Sequence, residues 1–140
     1  MKNLTNAVGG LVAVLLGGVA PASAEGRFDG AAPMHCEIKT VMACTGGDSC
    51  VRGTAATVAL PPVLVIDVGA QLVSGDRSGR TMRITSVEHG NGRLLLHGQE
   101  IEIGGRAWNV VVLEATGAMT AAVLSEPGGY LMFGACALRP

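Results

Sequence analysis

Aromatic side chains are scarce in this 140-residue chain: Phe28, Trp108, Tyr130 and Phe133 are all it has. A platform that stacks bases or sugars needs several rings on one face, so the composition argues against one. Blocks of like charge are missing as well. Ten basic residues stand against eleven acidic ones, with the signs interspersed, which leaves no electrostatic footprint for nucleic acid or an anionic membrane surface. Sustained helical periodicity with capping signals is absent beyond the first 24 residues, so all-β is the favoured class. Three catalytic or cofactor signatures are lacking too. There is no CxxC at a helix start for thiol redox chemistry, no Gly-x-Ser-x-Gly elbow around Ser74, and no glycine pattern that opens a helix after a strand to cradle phosphate. Without a recognisable nucleophile, base and orienting group, the reading is non-enzymatic, and no cofactor is called for.

What is present begins with a targeting signal. Lys2 precedes an apolar run from Ala7 to Ala20, and Pro21-Ala-Ser-Ala24 follows before the charged Glu25. This is the layout of a cleavable signal peptide over residues 1–24, with Ala22 and Ala24 as the small residues of the cut site. The apolar run falls short of the roughly 20 residues of a bilayer span. Cleavage therefore leaves no transmembrane anchor. Removing 24 of 140 residues leaves 116, enough for one domain with a single modest core. Residues 25–34, rich in Gly, Ala, Asp and Pro, read as a flexible leader to a single β domain over 35–140.

Within that domain, Met34 to Ala43 alternates as a strand, with Cys36, Ile38, Met42 and Cys44 inward and Glu37 and Lys39 outward. Val63 to Val68 reads as a strand, with a short edge strand before it in the stretch Thr54 to Leu60, which Pro61-Pro62 ends. Glycine-bearing turns then alternate with β-forming runs: Thr81–Val87, Leu94–His97, Trp108–Leu113, Ala118–Leu124 and Tyr130–Cys136. Asn91-Gly92 is the clearest hairpin signal, because a type I′ turn wants two residues tolerant of positive φ. In Gln99 to Ile103 the alternation places Glu100 and Glu102 outward and Ile101 and Ile103 inward. The architecture expected is a small antiparallel meander of about seven or eight strands. It curls into a barrel or half-barrel.

Four cysteines in an exported chain of this size read as two disulfides. Cys44 and Cys50 enclose a glycine-rich turn, and Cys36 with Cys136 would tie the first strand to the last; Cys36–Cys44 with Cys50–Cys136 is the next arrangement. A competing use is a soft metal site for copper or zinc built from Met34-His35-Cys36 with His89, His97 and the other cysteines. The tight ligand spacing of structural zinc sites is absent, so no metal residue is assigned.

Other polar groups offer candidate surfaces. Glu88, His89, His97, Glu100 and Glu102 gather near turns, where solvated strand ends are the default. Arg77, Arg80, Arg83 and Arg93 span two consecutive hairpins and could line a patch for an acidic partner. Asp67, inside an apolar run, is either the first residue of a turn or a partner for Arg83. The candidate binding loop is Val73 to Gly79 and its flank, with Ser74, Asp76, Arg77 and Arg80 as its polar residues.

The signal peptide, the Cys-x7-Cys-x5-Cys frame and the closing Tyr130-Leu-Met-Phe-Gly-Ala-Cys136 together resemble small uncharacterised disulfide-framed periplasmic or secreted proteins of proteobacteria. The resemblance implies export and disulfides, and adds no catalytic residue. Leu94-Leu-Leu-His-Gly-Gln-Glu-Ile-Glu-Ile103 is in addition similar to the central hairpin of periplasmic lysozyme inhibitors of the β-barrel kind, and Ser74-Gly75 to their inhibitory loop. The functions expected are thus a binding or envelope-associated protein, an inhibitor of a cell-wall hydrolase, or a metal-binding module. A partner in the envelope fits the first two.

Overall fold

The structure, a computed structural model, describes residues 27–76, 79–100 and 105–139. The signal region, Arg77 and Glu102 lie outside the described residues. Strands β1 (Met34–Thr45), β2 (Ser49–Gly53), β3 (Val63–Asp67), β4 (Leu72–Gly75) and β5 (Thr81–Gly90) are followed by β6 (Arg93–Glu100), β7 (Arg106–Leu113), β8 (Ala118–Leu124) and β9 (Gly128–Leu138). All pairings are antiparallel in the order β2-β1-β3-β4-β5-β6-β7-β8-β9, and β1 also pairs with β9. That last pairing runs from Met34↔Leu138 to Thr45↔Gly128 and closes an eight-stranded barrel with β2 as an extra strand. The curled meander is a full barrel. Along the other edge of β1, Met34–Glu37 pairs with β3 and Val41–Thr45 with β2.

Closure joins the ends of the eight-stranded sheet and turns one face of each barrel strand into the core. Ile66, Val73, Ile84, Leu94, Leu96, Val110 and Val112 fill the interior from alternate positions. Asn91 and Gly92 have φ of 52° and 71°, the two positive values that a type I′ turn requires, so the β5–β6 hairpin forms as read.

Both disulfides join residues that face each other across strand pairs, Cys36 with Cys136 on β1 and β9 and Cys44 with Cys50 on β1 and β2. The first is buried at the barrel seam. Disulfides of this kind persist in oxidising, extracytoplasmic compartments. No described helix is long and apolar enough to cross a membrane.

Four expectations change. A bulge between Ile38 and Thr40 in the β1–β9 pairing adds one residue and reverses the alternation beyond it. Val41 is therefore buried, while Met42 and Cys44 turn to the outer side. Residues Ala55–Val58 form one turn of 3-10 helix rather than an edge strand, held by Thr54 N–H donating to Thr57 Oγ1 at 3.0 Å. The extra edge strand is β2, earlier in the chain. The described part of the leader, from residue 27 on, is docked: Phe28 packs on the core, its N–H donates to Glu114 O at 2.9 Å, and Gly30 lies against Val68 and Leu94. Met34, fully buried, already belongs to β1. Finally, Glu100 points inward, because it continues the inward series Leu94, Leu96, Gly98 along β6.

Candidate functional site

The two ends of the barrel are chemically different. At one end, Glu114 at the end of β7 is the sole buried charged side chain among the described residues, 5% exposed. Arg27 Nη2 donates to its Oε2 and His89 Nδ1–H to its Oε1, both at 2.9 Å. The His89 hydrogen bond, then the Arg27 one, hold the Glu114 carboxyl below the usual carboxylate range, and the same contact raises the Arg27 guanidinium. With Phe28 seated beside them, these groups shut this end. They form a lock, not an opening.

At the other end, Gly75 and Arg80 on either side of the β4–β5 turn, the start of β7 and the start of β9 surround a cavity of about 30 Å³. Leu60, Leu64, Met82, Val123 and Met132 make its apolar wall, and Trp108 lines it as well. Arg80, Glu100 and Tyr130 complete the lining, so a charged rim stands above an apolar cup. Glu100, its side chain 12% exposed, lies 3.6 Å from Arg80 Nη2 and 3.8 Å from Arg106 Nη1. Arg80 Nη1 also donates to the Ala59 carbonyl at 3.3 Å, which ties the rim to the 3-10 turn. Burial pushes the Tyr130 hydroxyl up, with the nearby Arg106 charge acting in the opposite direction. The phenol is therefore a protonated donor at neutral pH.

Trp108 is 3% exposed, and its Nε1–H has no hydrogen-bond partner. An indole N–H normally finds an acceptor when buried. The ring lies across Gly98, where an added Cβ would come 2.1 Å from Trp108 Cζ2 and 2.3 Å from the Arg83 carbonyl. Only glycine lets β6 accommodate the indole. The site thus depends on a residue without a side chain.

Of the sequence-derived candidates, Ser74, Asp76 and Arg80 all lie at this mouth. Ser74 pairs with Val65 and Thr81, Asp76 N–H donates to the Val63 carbonyl at 2.9 Å, and Arg80 lines the cavity beside Gly75. Among the described residues the arginine patch does not form. Arg93 opens β6 at the far end, opposite Leu113, and Arg83 is exposed on the outer wall, opposite Leu72 and Gln99. His89 is used by Glu114, His97 Nδ1 contacts Asn109 Oδ1, and Glu88 meets Ser86, so the described polar residues near the turns do not come together in one site. Asp67 is the first residue of the β3–β4 turn, accepting from Ala70 N–H at 2.9 Å. All four cysteines are in disulfides, and among the described residues no three His, Cys, Asp or Glu side chains come together to hold a metal. Ser74 and His89 lie at opposite ends, so nothing positive indicates catalysis.

Arg106 and Tyr130 were missed as site residues, and Glu100, a candidate, was given the wrong face. The signal for Glu100 was there in the phase of Leu94 and Leu96, obscured because Gly98 has no side chain to mark the next inward position. Comparison of the chain with protein-family models, curated proteins and solved structures finds no match.

Proposed function

We propose that this protein is exported to the periplasm or beyond and acts there without catalysis, by holding an envelope partner at the open mouth of its barrel. The observation that carries this reading is the asymmetry of the ends. One is sealed by Phe28, Arg27 and Glu114, while the other sets Glu100, Arg80, Arg106 and Tyr130 around an apolar cavity. The signal-peptide layout and the resemblance to disulfide-framed exported proteins support the compartment. A photo-crosslinking residue at Pro61, beside the cavity, is expected to give discrete adducts in intact cells that the same residue at Arg93 does not. Equal adducts from both positions, or none, reject the reading. Mass measurement of the exported protein should show a chain starting at Glu25.

Inhibition of a cell-wall hydrolase is the second reading. It is favoured by the Cys44–Cys50 bridge, which braces a hairpin whose tip, Thr45 to Ser49, is exposed throughout, the form a loop needs to enter an enzyme cleft. Purified oxidised protein that leaves lysozyme activity unchanged removes it.

A further inference from the structure

Barrel closure leaves the outer edge of the extra strand β2 unused. β2 ends the strand order, with β1 its sole partner among the described residues, and Ser49, Cys50, Val51 and Arg52 are all exposed. Such an edge offers a row of backbone donors and acceptors to another chain. The β1–β2 ladder decides which residues make up that row. Cys44 and Cys50 face each other with Cα atoms 4.0 Å apart, close to the roughly 4.5 Å of a non-hydrogen-bonded antiparallel pair and well short of the roughly 5.5 Å of a hydrogen-bonded one. Gly46 N–H donates to the Pro127 carbonyl at 3.1 Å, on the β9 side, which places the backbone groups of Cys44, two residues earlier, on that side too. The N–H and C=O of Cys50 and Arg52 therefore turn to the free edge. Those of Val51 are spent on β1.

The occupant is selected by what flanks Cys50. Asp48 stands two residues before it and Arg52 two after, both exposed and neither in an ion pair among the described residues. An antiparallel copy of the same strand, centred Cys50 on Cys50, sets each Asp48 opposite the other copy's Arg52. Opposite charges meet twice. A slip of two residues puts Arg52 opposite Cys50 or Gly46, and a slip of four in one direction puts it opposite its own counterpart, so the charges are unmatched or opposed. A slip of one turns the backbone donors away from the partner strand. One register satisfies both the backbone and the charges.

Independently of what the mouth holds, we propose that β2 is the contact through which two copies of this chain pair, edge to edge and antiparallel, with Cys50 at the two-fold axis. Backbone hydrogen bonds supply the attraction, and the Asp48–Arg52 pairs set the register. The Cys44–Cys50 bridge already ties β2 to β1, so little ordering remains to be done on association. The two-fold uses up both free edges, and assembly stops at two copies. One short strand per copy makes an interface of the small, transient class, below about 1,200 Å² in total. The dimer is therefore weak and concentration-dependent.

Sedimentation of the purified oxidised protein from about 10 μM to about 1 mM should show a monomer passing to a dimer, with no larger species. Over the same range the Cys50 and Arg52 amides should exchange hydrogen more slowly, while Val51, already bonded to β1, should not change. Arg52→Asp or Asp48→Arg alone sets like charges opposite each other and should weaken association about tenfold or more. The two together restore the match and should return it to within about threefold of the parent. Both positions are exposed, so an unchanged Tm certifies an intact fold. A monomer at every concentration overturns the proposal, as does a double variant as weak as either single one. Phe133→Ser separates the edge from the outer wall, where Leu131 and Phe133 are exposed, and should leave dimerisation unaffected. Loss in that variant, with Arg52→Asp still dimeric, assigns the contact to the wall and overturns the edge pairing.

Discussion

The two disulfides enclose loops of very different length, and that difference sets a measurable ranking. Cys36 and Cys136 are 100 residues apart, and Cys44 and Cys50 are 6 apart. Restriction of the unfolded chain alone makes the first bridge worth about 4.7 kcal/mol and the second about 2.4 kcal/mol. Domains of this size have total stabilities of about 5 to 15 kcal/mol, so the long bridge is a large share and the short one a modest share. Cys36→Ala with Cys136→Ala should then lower the urea midpoint by roughly 3 M at a slope near 1.5 kcal/mol/M, and Tm by roughly 15 to 20 °C. The slope itself should rise, because an uncrosslinked unfolded chain exposes more surface. Cys44→Ala with Cys50→Ala should cost about half as much.

The barrel should nevertheless close in the first variant. The seam keeps its backbone ladder from Met34↔Leu138 to Thr45↔Gly128 whether or not the sulfurs are joined. Reduced but unmutated protein controls for the small void left by deleting two buried sulfurs. Access adds a second readout, since Cys50 is exposed while Cys36 and Cys136 are buried. Mild reduction followed by alkylation and mass spectrometry should label Cys44 and Cys50 first. If the short bridge proved as costly to remove as the long one, loop restriction would not be the dominant effect and this reasoning would fail.

Gly98→Ala should destabilise by more than the roughly 1 to 3 kcal/mol of ordinary overpacking, because the Arg83 carbonyl that the new Cβ meets cannot swing aside. A thermal midpoint close to that of the parent would contradict the packing of Trp108 described above. The depressed Glu114 carboxyl contributes stability that is present above its unfolded value, near 4.5, and lost as pH falls through its lower folded value. Stability against pH should therefore drop below about pH 4.5 in the parent and flatten there in Glu114→Gln, as followed by urea unfolding; parallel curves would exclude Glu114 as the source. Phe28→Ala should cost about 1 to 2 kcal/mol, since the ring is only partly buried, and should speed hydrogen exchange at residues 28–33 while leaving β6 to β8 protected. Unchanged exchange in that segment would mean that the aromatic anchor is not what docks it.

What was legible in the sequence depended on short-range information. The Asn91-Gly92 turn carries its geometry in two adjacent residues, and alternation in Trp108–Leu113 and Ala118–Leu124 needs only a count of two. The short Cys44–Cys50 loop favoured the observed disulfide pairing, but spacing left Cys36–Cys44 with Cys50–Cys136 open, and the β1–β9 register decides between them. The features that escaped depend on distant partners. The bulge near Lys39 exists only relative to β9, nearly a hundred residues away, so the inward choice between Val41 and Met42 could not be made locally. Barrel closure is the same kind of fact. The docking of Phe28 requires the Glu114 carbonyl, and the dispersal of Arg80, Arg83 and Arg93 requires knowing that two of them sit near one end of the barrel and the third at the other.

The barrel's two inward carboxylates show why similar residues at its ends take opposite roles. Glu114 meets Arg27 and His89 at 2.9 Å, inside hydrogen-bond range, and Phe28 covers the same end. Contacts that short fix the carboxylate in place and tie the leader to this end of the barrel. Glu100 has two arginines nearby, but both stand beyond hydrogen-bond range, on the rim of an apolar cavity. A structural ion pair gains from tight, complete satisfaction, whereas a binding rim must retain donors for a molecule that arrives later. By that criterion the Arg27 end serves the fold, and the longer contacts around Glu100 are the ones that the proposed binding mouth requires.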